Sequence, residues 1–212
     1  MVMPVERRAA LLQWATAKEA YIIEDDYDSE FRYKGLPITS LAKMDQLQRV
    51  IYFGTFSKTL IPSLRISYMI LPKSLVEEFM LFNQEQKSVV SKIDQLVLAD
   101  FIAQGLFDKH LAKMRTIYRK KQQTLLAAIN AHFPEEFEVI GEKSGLHIVM
   151  KLPKKLSEQE AIRLAQEVGI KVYPCSTSYE HNSEHAMVIM GYGGLTFEQI
   201  NEGIALLATF WK

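Results

Sequence analysis

The sequence predicts an α/β fold followed by a smaller α+β lobe. Three observations lead there. Short apolar runs such as Tyr21-Ile22-Ile23 and Val50-Ile51-Tyr52-Phe53 alternate with amphipathic segments. One helical pattern, 107–133, is far longer than the others. After Pro134 the pattern changes to short apolar runs around Gly141 and Gly145, interleaved with two further helices.

In chain order, Pro4 opens a helix carrying Arg8 to Ala15, with proline near the first turn. Tyr21–Glu24 reads as a short buried strand that ends in acids. Asp28–Gln46 reads as a polar loop with Gly35 and Pro37. Arg49–Phe53 and Ile66–Leu71 are strands, the latter closed by Pro72. Ser74–Gln86 is amphipathic, and Ser91–Gln104 repeats Ile93, Leu96, Val97 and Phe101 at helical spacing before Gly105 breaks it. The apolar stripes on these helices are expected to be core.

In the long pattern, Leu111, Met114, Tyr118, Leu125 and Ile129 form a stripe. Its length, ~40 Å at 1.5 Å per residue, suits a helix joining two lobes. Phe137–Ile140 and Leu146–Leu152 follow as strands. Ser157–Val168 is a helix whose Ser157 and Glu160 have capping-box spacing. Ile170–Pro174 and Met187–Gly191 are strands, and Thr196 opens a last helix ending near Trp211. The expected division is 1–106 and 107–212.

Composition narrows the function. The 212 residues are 48% hydrophobic and 24% charged, enough for a packed core. Lys and Arg balance Asp and Glu at 25 each, so no bulk positive field favours direct DNA binding by this chain. The single cysteine, Cys175, excludes an internal disulfide and a multi-cysteine zinc site, and reads as a small buried hydrophobe. No metal site is expected. The start has no signal-peptide core, and no apolar stretch approaches the ~20 residues that span a bilayer. A cytoplasmic location is the expectation.

The chemistry centres on Lys58, in Gly54-Thr55-Phe56-Ser57-Lys58-Thr59-Leu60 just past an apolar run. Asp25 and Tyr27 stand two apart at another strand end, a spacing that puts both on one face. Arg65 follows the lysine by seven positions. An amine for a Schiff base, a carboxylate for a pyridine nitrogen, and hydroxyls with a cation for a phosphate are what pyridoxal phosphate (PLP) requires. Each residue also has a plain counterpart: acids solvating a strand end, a surface lysine, an ion-paired arginine. His110, Arg115 and Tyr118 read as packing or interface residues, and His147 as a core or interface histidine.

Together, Tyr21-Ile22-Ile23-Glu24-Asp25-Asp26-Tyr27-Asp28-Ser29-Glu30-Phe31-Arg32-Tyr33 and the segment Tyr52 to Arg65 resemble MocR-type, GntR-like transcriptional regulators. Pro4 to Arg8, Lys109 to Arg115, Gly145-Leu146-His147 and Gly191-Tyr192 extend the resemblance over the whole chain. Such regulators join a winged helix to a fold type I aminotransferase-like domain. The resemblance implies the later part of a PLP fold type I large domain plus its C-terminal α+β small domain. Lys58 would form the internal Schiff base, Asp25 would pair with the pyridine nitrogen, and Tyr27 would meet the ring hydroxyl. Thr55, Ser57 and Arg65 would meet the phosphate. The implied partners are a small amine or amino-acid effector and a second copy in a homodimer. If the domain is an enzyme, it is an aminotransferase; a remnant unable to retain PLP is the third reading.

Two departures stand out. The chain is expected to lack the first half of the large domain and the winged helix, so that edges and apolar faces are left open. Such a fragment would be marginally stable, oligomeric or rearranged unless a partner completes it. In addition, no substrate-carboxylate arginine is evident: the last is Arg163, and Val172–Tyr179 contains none, leaving Ser176, Thr177 or Tyr179 for a different ligand. Ser67 also stands where the family usually has glycine, and is expected to crowd the lysine if the backbone passes close to it.

Overall fold

The computed structural model describes residues 3–35, 39–85, 89–178 and 186–212. Pro37, Tyr179, the first two residues and the expected helix end at Gln86 lie outside the described residues. The chain divides into two compact units, Met1–Glu30 with Leu36–Ala112, and Phe31–Gly35 with Lys113–Lys212.

The first unit opens with α1 (Val5–Ala17), where Pro4 serves as N-cap and its carbonyl accepts from Arg8 N at 3.1 Å. β1 (Ile22–Asp26) runs parallel to β2 (Val50–Thr55), with α2 (Leu41–Met44) in the connection. β3 (Ser67–Ile70) closes a three-stranded sheet of order β1-β2-β3, antiparallel to β2. Both early strands start one residue later and end two residues later than the sequence suggested, running into their polar ends. The acids explain it for β1. Glu24 Oε1 and Oε2 accept from Leu41 N and Ala42 N at 2.7 and 2.9 Å, satisfying two orphan donors at the start of α2. Asp26 Oδ2 accepts from the Tyr52 and Ser29 hydroxyls at 2.9 and 2.8 Å. These inward acids are therefore structural partners, not merely strand-end solvation.

α3 (Lys73–Asn83) and α4 (Lys92–Ala103) form where the periodicity placed helices, and Ser91 caps α4 by accepting from Asp94 N. Apart from Leu98 of α4, which is buried, their apolar residues stay outside the core, contrary to expectation. Phe82 is 72% exposed, Ile93 73% and Leu96 71%. An apolar stripe is buried only where another element faces it, and most of these two stripes is left uncovered among the described residues.

α5 (Leu106–His132) runs 27 residues and contributes to both units. In the second unit β4 (Glu138–Ile140), β5 (His147–Lys151), β6 (Tyr173–Pro174) and β7 (Met187–Gly191) form an antiparallel sheet of order β4-β5-β7-β6. The alternation of β5 and β7 sends Ile148, Met150, Val188 and Met190 into the core. Leu125 and Ile129 of α5, Ala161 and Ala165 of α6 (Glu158–Glu167), and Ile200, Ile204 and Leu207 of α7 (Phe197–Trp211) join the same cluster. Trp211 is buried there and its indole N–H donates to Ala161 O at 3.1 Å. His147 faces out on β5, which removes the core alternative from its reading as a core or interface histidine. Cys175 is buried, as its composition suggested.

The capping reading needs one correction. Ser157 Oγ accepts from Glu160 N, but the Glu160 carboxylate turns to Arg163, so only half a box forms. The full capping box belongs to Thr196 and Gln199. A second unforeseen feature is Phe31–Gly35, which inserts into this unit. Phe31 is fully buried, edge-on to Tyr118 at 4.9 Å, and the Tyr33 and Tyr192 hydroxyls donate to Gly145 O at 2.9 and 2.6 Å. Among the described residues no helix is long and apolar enough to cross a membrane, and no group of three or more His, Cys, Asp or Glu could hold a metal.

Candidate functional site

All six candidate residues lie in the first unit. Parallel pairing sets Asp25 opposite Phe53 and Asp26 opposite Gly54. Because strand side chains alternate, Asp25, Phe53 and Thr55 share one face, with Ser67 and Met69 of β3 in register beside them. Glu24, Asp26, Tyr52 and Gly54 occupy the other. The acidic run is thereby sorted: Glu24 and Asp26 are engaged in structure, whereas Asp25 is exposed and makes no hydrogen bond or ion pair among the described residues. Tyr27 follows just past β1. Burial pushes its phenol up, and the charges of Asp28 and Asp25 add to the effect, which places its hydroxyl in the field of the Asp25 carboxylate.

Lys58 sits in the turn that leaves β2. Leu60 N donates to Phe56 O at 2.8 Å, and Phe56 N donates to Ile66 O at 3.0 Å, so the turn is closed at both ends. The Thr55 hydroxyl donates to Ile66 O at 3.3 Å and accepts from Ser57 N at 3.1 Å. Thr55 thus staples the turn internally, and would have to release Ile66 O before donating to an anion. The Ser57 hydroxyl has no partner among the described residues. The Lys58 ammonium is exposed and likewise without hydrogen bond or ion pair. Arg65 caps the 3-10 turn Pro62–Leu64 in the left-handed region, φ 51° and ψ 31°, and is exposed and unengaged too. Ser67 is accommodated on the exposed face opposite Thr55.

Tested against PLP, this donor set fits. Among the described residues it offers an amine, a carboxylate that only accepts, a hydroxyl and a guanidinium, each without a side-chain partner. The backbone at Arg65 is strained, a state that persists where the surroundings impose it and recurs at ligand sites. One feature was missed from the sequence, and a second gives the packing role read for His110 its partner. Tyr52 and Tyr68 lie behind the site, and burial raises both phenols; the Tyr52 hydrogen bond to Asp26 adds to its own rise. His110 reaches the Lys58 turn, its Nε2 lying 2.8 Å from Thr59 O. The signal for Tyr52 was its register opposite Glu24, which only pairing reveals.

Arg163 lies on α6 held by Glu160 at 2.7 Å and by Glu167. Among the described candidates for a different ligand, Ser176 is engaged. Its N–H and hydroxyl, with Cys175 N, all donate to Glu158.

The family model for aminotransferase class I and II matches residues 1–188. The chain is 48% identical to the uncharacterized HTH-type transcriptional regulator YhdI of Bacillus subtilis (strain 168), over 99% of its own length and 45% of that protein. It is 35% identical to the probable rhizopine catabolism regulatory protein MocR of Rhizobium meliloti, over 96% of itself and 41% of that protein. It therefore spans about half the length of these relatives. Among solved structures, LysN, the α-aminoadipate aminotransferase of Thermus thermophilus, is similar with a TM-score of 0.86 at 26% identity, over 98% of this chain and 54% of that one. That structure is complexed with N-(5'-phosphopyridoxyl)-L-leucine.

Proposed function

Because the chain belongs to the class I and II aminotransferase family, we propose that it is the PLP-binding, effector-sensing part of a MocR-type transcriptional regulator. The observation that carries this reading is the unpaired Lys58 amine on the turn after β2, with the unpaired Asp25 at the parallel strand end. PLP supplies a carbonyl for amines and a ring that withdraws electrons from them. In this reading Lys58 would hold the group through its amine, the position that an effector amine would compete for. Asp25 keeps the pyridine nitrogen protonated, because a carboxylate beside a cation stays ionised. Tyr27 donates to the ring oxygen, while Ser57 and Arg65 hold the phosphate, joined by Thr55 if its staple opens. Effector exchange at Lys58 then biases a two-state arrangement read by a DNA-binding part outside this chain. A homodimer, a cytoplasmic location and a division near residue 106 belong to the same proposal.

The second reading is a catalytic aminotransferase, in which Lys58 also carries a proton between substrate and cofactor carbons. The likeness to LysN favours it, and the engagement of Arg163 by two glutamates weighs against it. The test is incubation with PLP, borohydride reduction and peptide mass mapping. A pyridoxyl group on Lys58, absent in Lys58→Ala, supports the proposal; labelling spread over surface lysines overturns it. Release of PLP-bound amine without keto-acid formation selects the sensor, and steady keto-acid production selects the enzyme.

A further inference from the structure

We infer that His110 is a positioning residue for Lys58, acting through the backbone of Thr59. The inference rests on the reading of Lys58 as the cofactor lysine. The first turns of α5 meet the lysine turn at two points that bracket Lys58. Phe107 packs edge-on against the Phe56 ring at 5.6 Å, with 71° between the planes. One helical turn on, His110 Nε2 lies 2.8 Å from Thr59 O. Residues three apart share a helix face, so one face of α5 grips positions 56 and 59 while the lysine between them stays exposed.

A carbonyl oxygen only accepts, so Nε2 carries the proton in this bond. The grip is reinforced around it. Thr59 is buried, its hydroxyl donates to Phe56 O at 3.4 Å, and the Phe56 ring also contacts Tyr68 at 5.4 Å. With Phe56 and Thr59 tied to α5, Lys58 between them stays exposed. Without the imidazole, Thr59 O keeps no partner on α5, and the turn gains freedom at the Thr59–Leu60 peptide, one residue beyond the lysine. The grip orients an amine without touching it.

The test compares His110→Leu, which removes the donor, with His110→Gln, which replaces it at similar reach, in the full chain. The first readout needs no cofactor: amide hydrogen exchange of the peptide 54–66, with the peptide 147–168 as an internal control for folding. About three- to tenfold faster exchange of 54–66 in His110→Leu, restored in His110→Gln, is expected for one lost hydrogen bond. The second readout is the share of borohydride-trapped pyridoxyl found on Lys58, expected to fall in His110→Leu and recover in His110→Gln. Unchanged exchange in His110→Leu, or equal loosening in both variants, overturns the grip. Faster exchange with undiminished labelling of Lys58 overturns its role in positioning. If no variant, wild type included, is labelled at Lys58, the cofactor reading fails while the exchange result still decides the grip.

Discussion

Gly54 and Tyr68 are register partners across β2 and β3, and the Tyr68 ring fills the space that a side chain on Gly54 would need. A Cβ there would lie 2.7 Å from Cε1 and 2.5 Å from the hydroxyl oxygen. The glycine of the motif is thus required by close approach, just before the turn that holds Lys58. Gly54→Ala should destabilise the first unit by about 1–3 kcal/mol through overpacking. Urea unfolding measures it. Tyr68→Ala in the same chain should recover much of that loss, giving a coupling of opposite sign in a double-mutant cycle; strict additivity would contradict the clash.

The raised phenols predict an alkaline weakness. Tyr27, Tyr52, Tyr68 and Tyr118 are all pushed above the ordinary 10.0, in each case first by burial. The folded chain therefore keeps protons that the unfolded chain loses. Stability is full below pH 10 and falls as the pH rises beyond it. Denaturant titrations at pH 8, 10 and 11 should show the decline, with a shallower slope in Tyr52→Phe. A flat profile from pH 9 to 11 would count against the raised phenols.

Arg65 offers a separation of stability from binding. Replacing it with glycine relieves about 1 kcal/mol of left-handed strain but adds a similar entropy to the unfolded chain, so Arg65→Gly should change stability by less than about 1 kcal/mol. Removing a guanidinium from a phosphate should nonetheless weaken PLP capture about tenfold or more. Equilibrium dialysis with PLP beside a thermal melt checks both. Unchanged capture would remove Arg65 from the site.

The loop after β6 is anchored by one carboxylate. Glu158 accepts from Cys175 N and Ser176 N at 2.9 Å each, and from the Ser176 hydroxyl. Glu158→Gln loses charge assistance for all three bonds and should cost about 1–3 kcal/mol. Amide exchange of 173–178 should quicken while that of 197–211 holds. Equal quickening of both would point to general unfolding of the unit.

Much of this was legible beforehand because it is local. Ser91, Ser157 and Thr196 announce helix starts through side chains that satisfy their own backbone, and the apolar strand cores need only a period of two. The Lys58 motif was legible because its chemistry is packed into a few consecutive residues. The α3 and α4 stripes misled because periodicity says which face is apolar, not whether anything covers it; Leu96 is apolar and exposed alike. Phe31 gave no signal, since a single aromatic in a polar loop acquires its burial from Tyr118 and the Gly145 turn, both far along the chain.

What the sequence determined by itself is the set of elements, their caps and the residue types near Lys58, all of which depend on neighbours within a few positions. Only the tertiary structure decided which acid of Glu24-Asp25-Asp26 stays free, that Thr55 is spent on its own turn, and that His110 reaches the lysine loop. Adjacent strand residues necessarily face opposite ways, but which way is set by the partner strand and by the helix ends that need acceptors. Those partners lie tens of residues apart, where only packing can bring them together.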